Sequence, residues 1–206
     1  MSAVSLPPLP PAPDEGYRPG GRSIADIVDR EHRQLLALLD QLAGSAGSAG
    51  SAGAPRDGLA VLTAALSRHL SAEEQYLLPA VRAALPEHAG RVDEEIDGDA
   101  GLLTALKGLT DETLTEVAER VRRHVDGVGG LVAELRAVAT QEELIRLGNR
   151  LEIAEEAAPT RPHPGTPGTP PWNRIVEPAV GVVDKVRDAV TRRPTYLADL
   201  PEPPRD

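Results

Sequence analysis

The chain contains no cysteine and no phenylalanine, and only one methionine, among its 206 residues. Without cysteine there is no disulfide framework and no thiolate metal site, so any metal must be held by nitrogen and oxygen donors. Aromatic residues make up only 2% of the chain, so a core must be assembled from Leu, Val, Ile and Ala. That mixture suits helices, because Ala and Leu stand at the top of the helix-propensity order. No alternating strand pattern stands out. The N-terminus lacks a basic region followed by an apolar run, which argues against a secretory signal. No apolar stretch reaches the length of a membrane span. The expectation is a cytoplasmic protein with no membrane span. The formal net charge of −10 would repel phosphates, so nucleic acid is excluded as a partner. There is no Gly-rich phosphate loop, and no serine or threonine stands beside a base and an orienting acid.

Proline and glycine are plentiful, and they divide the chain. Residues 1–22 are rich in both and are expected to form a disordered or polyproline arm. A helical bundle is expected over 23–158. Residues 159–206 should supply a Pro-rich connector, an amphipathic helix and a tail. Within the bundle, Ser23 is the expected N-cap of a helix running to about Ala43. A threefold Gly-Ser-Ala repeat, Gly44 to Ala52, reads as a flexible connector. A second helix is expected from about Asp57 to Leu85, with Pro79 kinking or loosening it. A third segment follows from about Glu87 to Leu109. A fourth is expected to be capped by Asp111. A fifth starts at Thr140, where Glu143 three residues on completes a capping box. In the C-terminal region Ile175, Val176, Ala179, Val183, Val186 and Val190 fall at helical spacing beside Lys185, Arg187, Arg192 and Arg193. This helix is expected to strap across the bundle, anchored by Trp172. The fold class is therefore all-α.

Five polar residues interrupt the apolar stripes of the first four segments. His32 continues Val28, Leu35 and Leu39. His69 and Glu73 continue Leu62, Leu66 and Leu77, and a spacing of four puts them one turn apart on one face. Asp99 continues Val92, Ile96, Leu103 and Leu106, and His124 continues Val117, Val121, Val128 and Leu135. Glu74 is expected to point to the flank. Folding the four segments together aims all five side chains at the interior. Buried ionisable groups are costly unless paired, and a cation between helices is a common partner for imidazoles and carboxylates.

The segments His32 in Asp-Arg-Glu-His-Arg-Gln-Leu-Leu and His69-Leu-Ser-Ala-Glu73-Glu74-Gln-Tyr-Leu-Leu-Pro79 resemble the hemerythrin-like (HHE cation-binding) domains. The resemblance covers about Ser23 to Ala157. It implies an up-down-up-down four-helix bundle with a non-haem diiron centre, extended here by an extra C-terminal helix and Pro/Gly-rich arms. Carried over by position, His32, His69, Glu73 and His124 match the family's ligands. Two positions depart from it: Asp99 stands where the third helix gives a His, and Val128 stands where the fourth gives a carboxylate. One iron is expected at His32, His69 and Glu73, and a weaker second iron at Asp99 and His124. The implied role is binding, sensing or reacting with O2, another small diatomic or a peroxide. A metal-free bundle acting as an interaction module, or a single-metal enzyme, remain the alternatives. Gly98, Gly101, Gly127, Gly129 and Gly130 crowd the weaker half, where they either open a ligand pocket or mark a site no longer maintained.

Overall fold

A computed structural model describes residues 19–45, 54–163 and 172–196, and among them every regular element is a helix. Most of the N-terminal arm, part of the Gly-Ser-Ala connector, much of the Pro-rich connector and the tail lie outside the described residues, as does the Trp172 side chain. Seven α-helices follow in order: α1 (Ile24–Ser45), α2 (Ala54–Ala72), α3 (Leu78–Ala84), α4 (Ala89–Lys107), α5 (Leu114–Val138), α6 (Gln141–Ala157) and α7 (Trp172–Thr191).

Local chemistry sets the helix ends. Ser23 Oγ accepts the Asp26 N–H at 3.1 Å and starts α1. Thr140 and Glu143 form the expected capping box: the Thr140 N–H donates to the Glu143 carboxylate at 2.8 Å, and the Glu143 N–H donates to Thr140 Oγ1 at 3.3 Å. The start of α5 differs from expectation. Thr113 Oγ1 turns back to accept the Thr110 N–H at 2.9 Å, closing a turn over 110–113, so the helix begins at Leu114 and Asp111 does not cap it.

The predicted second helix is one continuous rod in three parts, because a π-helical turn, Glu73–Leu77, joins α2 to α3. Pro79 explains it. A proline has no N–H for the carbonyl four residues back, here Gln75, and its ring would collide with that carbonyl. Widening the preceding turn relieves both problems, and Leu78 N–H donates to Glu73 O, five residues earlier. The wide turn also buries Glu73, Glu74 and Gln75 in succession, so Glu74 is interior and not on the flank.

Helices α1, α2, α4 and α5 pack together: α1 lies against α2 and α5, and α4 against α5 and α2. Helix α6 covers the outside of α1 and α2. The close approach of α6 to the start of α1 requires Gly148, where a Cβ would strike the Arg22 carbonyl. The apolar core falls into two clusters. One contains Ile27, Val28, Leu77, Val81, Val92, Val128 and Leu131. The other contains Leu35, Leu39, Leu62, Leu66, Leu102, Val117 and Val121. The five interrupting residues form a polar layer between them.

Helix α7 docks in the opposite sense to its apolar spacing. Val183, Val186 and Val190 are exposed, whereas Asp184 and Asp188 are buried. Gly181 lets α7 touch the end of α6, since a Cβ there would strike the Ala157 carbonyl. Asp184 accepts the Arg161 backbone N–H at 3.0 Å and contacts His163 Nε2 at 3.0 Å. Asp188 binds Arg161 and the Thr160 hydroxyl. The helix is held by ion pairs from Asp184 and Asp188 to the 160–163 segment. His163 is one of the partners.

Candidate metal centre

The polar layer is built by one residue from α1, one from α2, one from the π turn and one from α5. One donor atom from each of His32, His69, Glu73 and His124 lies within 4.8 Å of all the others, and all four residues are buried. His69 Nε2 stands 3.3 Å and His32 Nε2 3.7 Å from Glu73 Oε1, and His124 Nε2 stands 3.2 Å from Glu73 Oε2. The Nε2 atoms of His69 and His124 are 3.4 Å apart. The three rings meet nearly edge to face, at interplanar angles of 72°, 77° and 79°, around a shared point.

Two carboxylates outside this set hold the rings. Asp99 Oδ1 lies 2.8 Å from His124 Nδ1, and Glu31 Oε2 lies 3.1 Å from His69 Nδ1. A carboxylate facing Nδ1 selects the tautomer with a hydrogen there, so the Nε2 lone pairs of both rings turn into the layer. Two bare lone pairs at 3.4 Å cannot satisfy each other, so either one ring carries a second proton or both face a cation. His32 Nε2, both oxygens of Glu73 and Asp99 Oδ2 are buried without a hydrogen-bond partner among the described residues. Leaving such atoms unpaired costs about 1–3 kcal/mol each. A cation removes that cost for the inner set. Donors bonded at about 2.1 Å to one tetrahedral ion stand roughly 3.4 Å apart; the histidine–Glu73 and His69–His124 spacings are 3.2–3.7 Å, and all four donors lie within 4.8 Å of one another.

The protonation of the layer follows from the same contacts. Burial opposes the charge of Glu73, but the imidazoles of His69 and His124 outweigh it and hold its carboxyl at about 2. Burial, with the neighbouring His69, lowers His32 to about 3. Burial also opposes charge on His124, yet Asp99 and Glu73 raise it well above the ordinary histidine value. One proton therefore sits on His124 in the absence of metal, between Asp99 and Glu73.

Four of the five predicted residues are thus brought to one point. Asp99 is joined to it through the far nitrogen of His124. Val128 is fully buried in the apolar cluster, and Asp126, one turn-fraction earlier, is exposed. The glycines divide between filled and open positions. A Cβ at Gly127 would strike the Glu95 carboxylate, and one at Gly130 would stand 3.1 Å from Arg91 Nη2, while Gly98 and Gly129 face open space. Long charged side chains take up the space at Gly101, Gly127 and Gly130 alone.

Sequence reading missed Glu31, Glu155 and Arg68. Glu31 adjoins His32 in the motif, a weak signal because a residue 100° around a helix normally faces solvent. Glu155 lies in α6, whose docking brings a carboxyl oxygen within 4.8 Å of one from Glu31. Burial, and then the facing Glu31 carboxylate, push Glu155 up to about 9.

An all-helical fold with buried imidazoles and a carboxylate converging between four helices defines a cation-binding helical bundle. Residues 23–145 match the family model described as hemerythrin HHE cation binding domain, and the chain belongs to that family. No curated protein and no solved structure gives a match. Among the described residues, no helix is long and apolar enough to cross a membrane.

Proposed function

We propose that the protein is a non-haem iron-binding member of this family that binds, senses or reacts with O2 or a related small oxidant. In this reading α1, the α2–α3 rod, α4 and α5 form an up-down-up-down bundle, and His32, His69, Glu73 and His124 hold one ion. The observation that carries it is the set of buried, partnerless atoms on His32 and Glu73 aimed at one point between the helices. Iron held there would supply one-electron redox chemistry toward an oxidant. The chain's own residues do the rest. Glu31 and Asp99 fix the His69 and His124 rings through their Nδ1 hydrogens. The flanking leucines and valines exclude water above and below the layer. A metal-free module is disfavoured, because even with the His124 proton turned to Glu73 Oε2 it leaves His32 Nε2 and Glu73 Oε1 buried without a hydrogen-bond partner. Asp99 serves the site through His124, and an apolar Val128 offers no terminal ligand for a second ion on that side.

The test is to produce the protein with iron supplied, count metal per chain by elemental analysis, and record absorption before and after adding oxygen. Retained iron with an oxygen-dependent spectrum supports the reading. No retained metal, and melting unchanged by iron, would sink it. Retained iron whose spectrum ignores oxygen and peroxide would leave the cation site standing and remove the oxidant role.

A further inference from the structure

Helix α6 adds a carboxylate that the four-helix layer does not use. Glu155 faces Glu31 of α1, and each carboxyl shifts the titration of the other. One donor atom from each of Glu31, His69 and Glu155 lies within 4.8 Å of the others. For His69 the edge on this side is Nδ1, because Nε2 points into the layer. The Glu31 side chain is only 14% exposed. Two facing carboxylates in so shielded a place repel each other unless a proton or a cation stands between them.

The trio forms one wall of a cavity of about 360 Å3, to which Glu152, Glu156 and Arg68 also contribute. The acidic side chains give a cation a favourable route inward. Arg68 Nη2 donates to the Thr195 carbonyl at 2.8 Å and its guanidinium lies over the Tyr196 ring at 4.5 Å. Arg68 Nη1, on a residue only 9% exposed, has no hydrogen-bond partner among the described residues. A buried N–H of this kind calls for an acceptor in the cavity.

We propose that Glu31, Glu155 and the Nδ1 edge of His69 form a second divalent-cation position, reached from this cavity, with the His69 ring bridging it to the four-donor position. The carboxylates are oxygen ligands suited to Zn(II), Mn(II) or Fe(II). A water or hydroxide on the open side of the ion accepts from Arg68 Nη1. Filling both positions displaces three protons to solvent: the one held between Glu31 and Glu155, the Nδ1 proton of His69, and the second proton of His124, whose Nε2 must be bare to take the ion. The charges then balance: two divalent ions face the carboxylates of Glu73, Glu31 and Glu155 and one imidazolate, while the Asp99 carboxylate offsets the Arg68 guanidinium. A neutral cluster is what a low-dielectric interior favours. The position lies on the α6 side, away from Asp99 and Val128.

Equilibrium dialysis against Zn(II), with elemental analysis, tests this on the full chain. The wild type should hold two ions per chain, and Glu31→Gln and Glu155→Gln should each hold one. Glu152→Gln, on the cavity wall but outside the trio, should still hold two. Both glutamines are isosteric and remove a carboxylate repulsion, and melting of the metal-free variants verifies their fold. A wild type holding one ion that both glutamine variants retain would overturn the second position and leave the four-donor reading intact. Two ions retained in Glu155→Gln would also overturn it. If Glu73→Gln keeps both ions while Glu155→Gln loses one, the four-donor reading fails and the second position stands.

Discussion

Replacing Glu73 by glutamine removes the only carboxylate from the four-donor layer at almost constant volume. Glu73 is fully buried, and its oxygens approach all three imidazoles. The amide keeps one oxygen but loses the charge that balances a divalent ion. Outer-shell partners of metal ligands are worth about 10–100-fold in affinity, so loss of a charged ligand should cost at least about 100-fold. The effect can be read as metal-linked stability. At a free metal concentration of 1,000 times its dissociation constant, the wild type gains about 4.1 kcal/mol, whereas a 100-fold weaker variant gains about 1.4 kcal/mol. For a chain of this size, about 2–4 °C of melting shift accompanies each kcal/mol. Adding metal should therefore raise the wild-type Tm by about 8–16 °C and that of Glu73→Gln by about 3–6 °C. Differential scanning calorimetry with and without metal makes each protein its own control, so any change in metal-free stability drops out. Equal metal-induced shifts in the two proteins would refute the placement of Glu73 at the cation.

Three further outcomes are expected. Asp99→Asn keeps an acceptor for His124 Nδ1–H but loses its charge, so affinity in a competing-chelator titration should fall about 10–100-fold while far-UV dichroism stays unchanged. The metal-free protein should lose stability as pH rises from about 6.5 to about 9. The folded state holds protons on His124, raised well above 6.5, and on Glu155, raised to about 9, that the unfolded chain releases earlier, so the slope is negative. Urea unfolding at the two pH values checks this; greater stability at the higher pH contradicts it. Thr140→Ala removes the capping box of α6 and should cost about 1 kcal/mol, seen as a drop in Tm of about 2–4 °C with metal binding retained.

Much of the arrangement is local enough to be legible in the chain. Ser23 and the Thr140–Glu143 pair announce helix starts because a cap needs only its own first turn. His32, His69, Glu73, Asp99 and His124 stand out because each breaks an apolar stripe at helical spacing, and the stripe itself says which way it points. The same logic fails for α7. Its valines lie at the right spacing, yet Asp184 and Asp188 pair with Arg161, and no periodicity can weigh an ion pair to a distant segment against apolar burial. It fails for Asp111 as well, where a Thr113 side chain turned back onto Thr110 delays the helix.

The order of residues along each helix was sufficient to say which side chains face inward, because 3.6 residues per turn is fixed by backbone sterics alone. Which nitrogen of each imidazole looks into the layer was decided only in three dimensions. That depends on Asp99 of α4 meeting His124 of α5 and Glu31 of α1 meeting His69 of α2, contacts between helices that no single-helix pattern encodes. The pairing of Glu31 with Glu155 belongs to the same category. It exists because Gly148 lets α6 settle against α1, and two carboxyls far apart in the chain then share one shielded space.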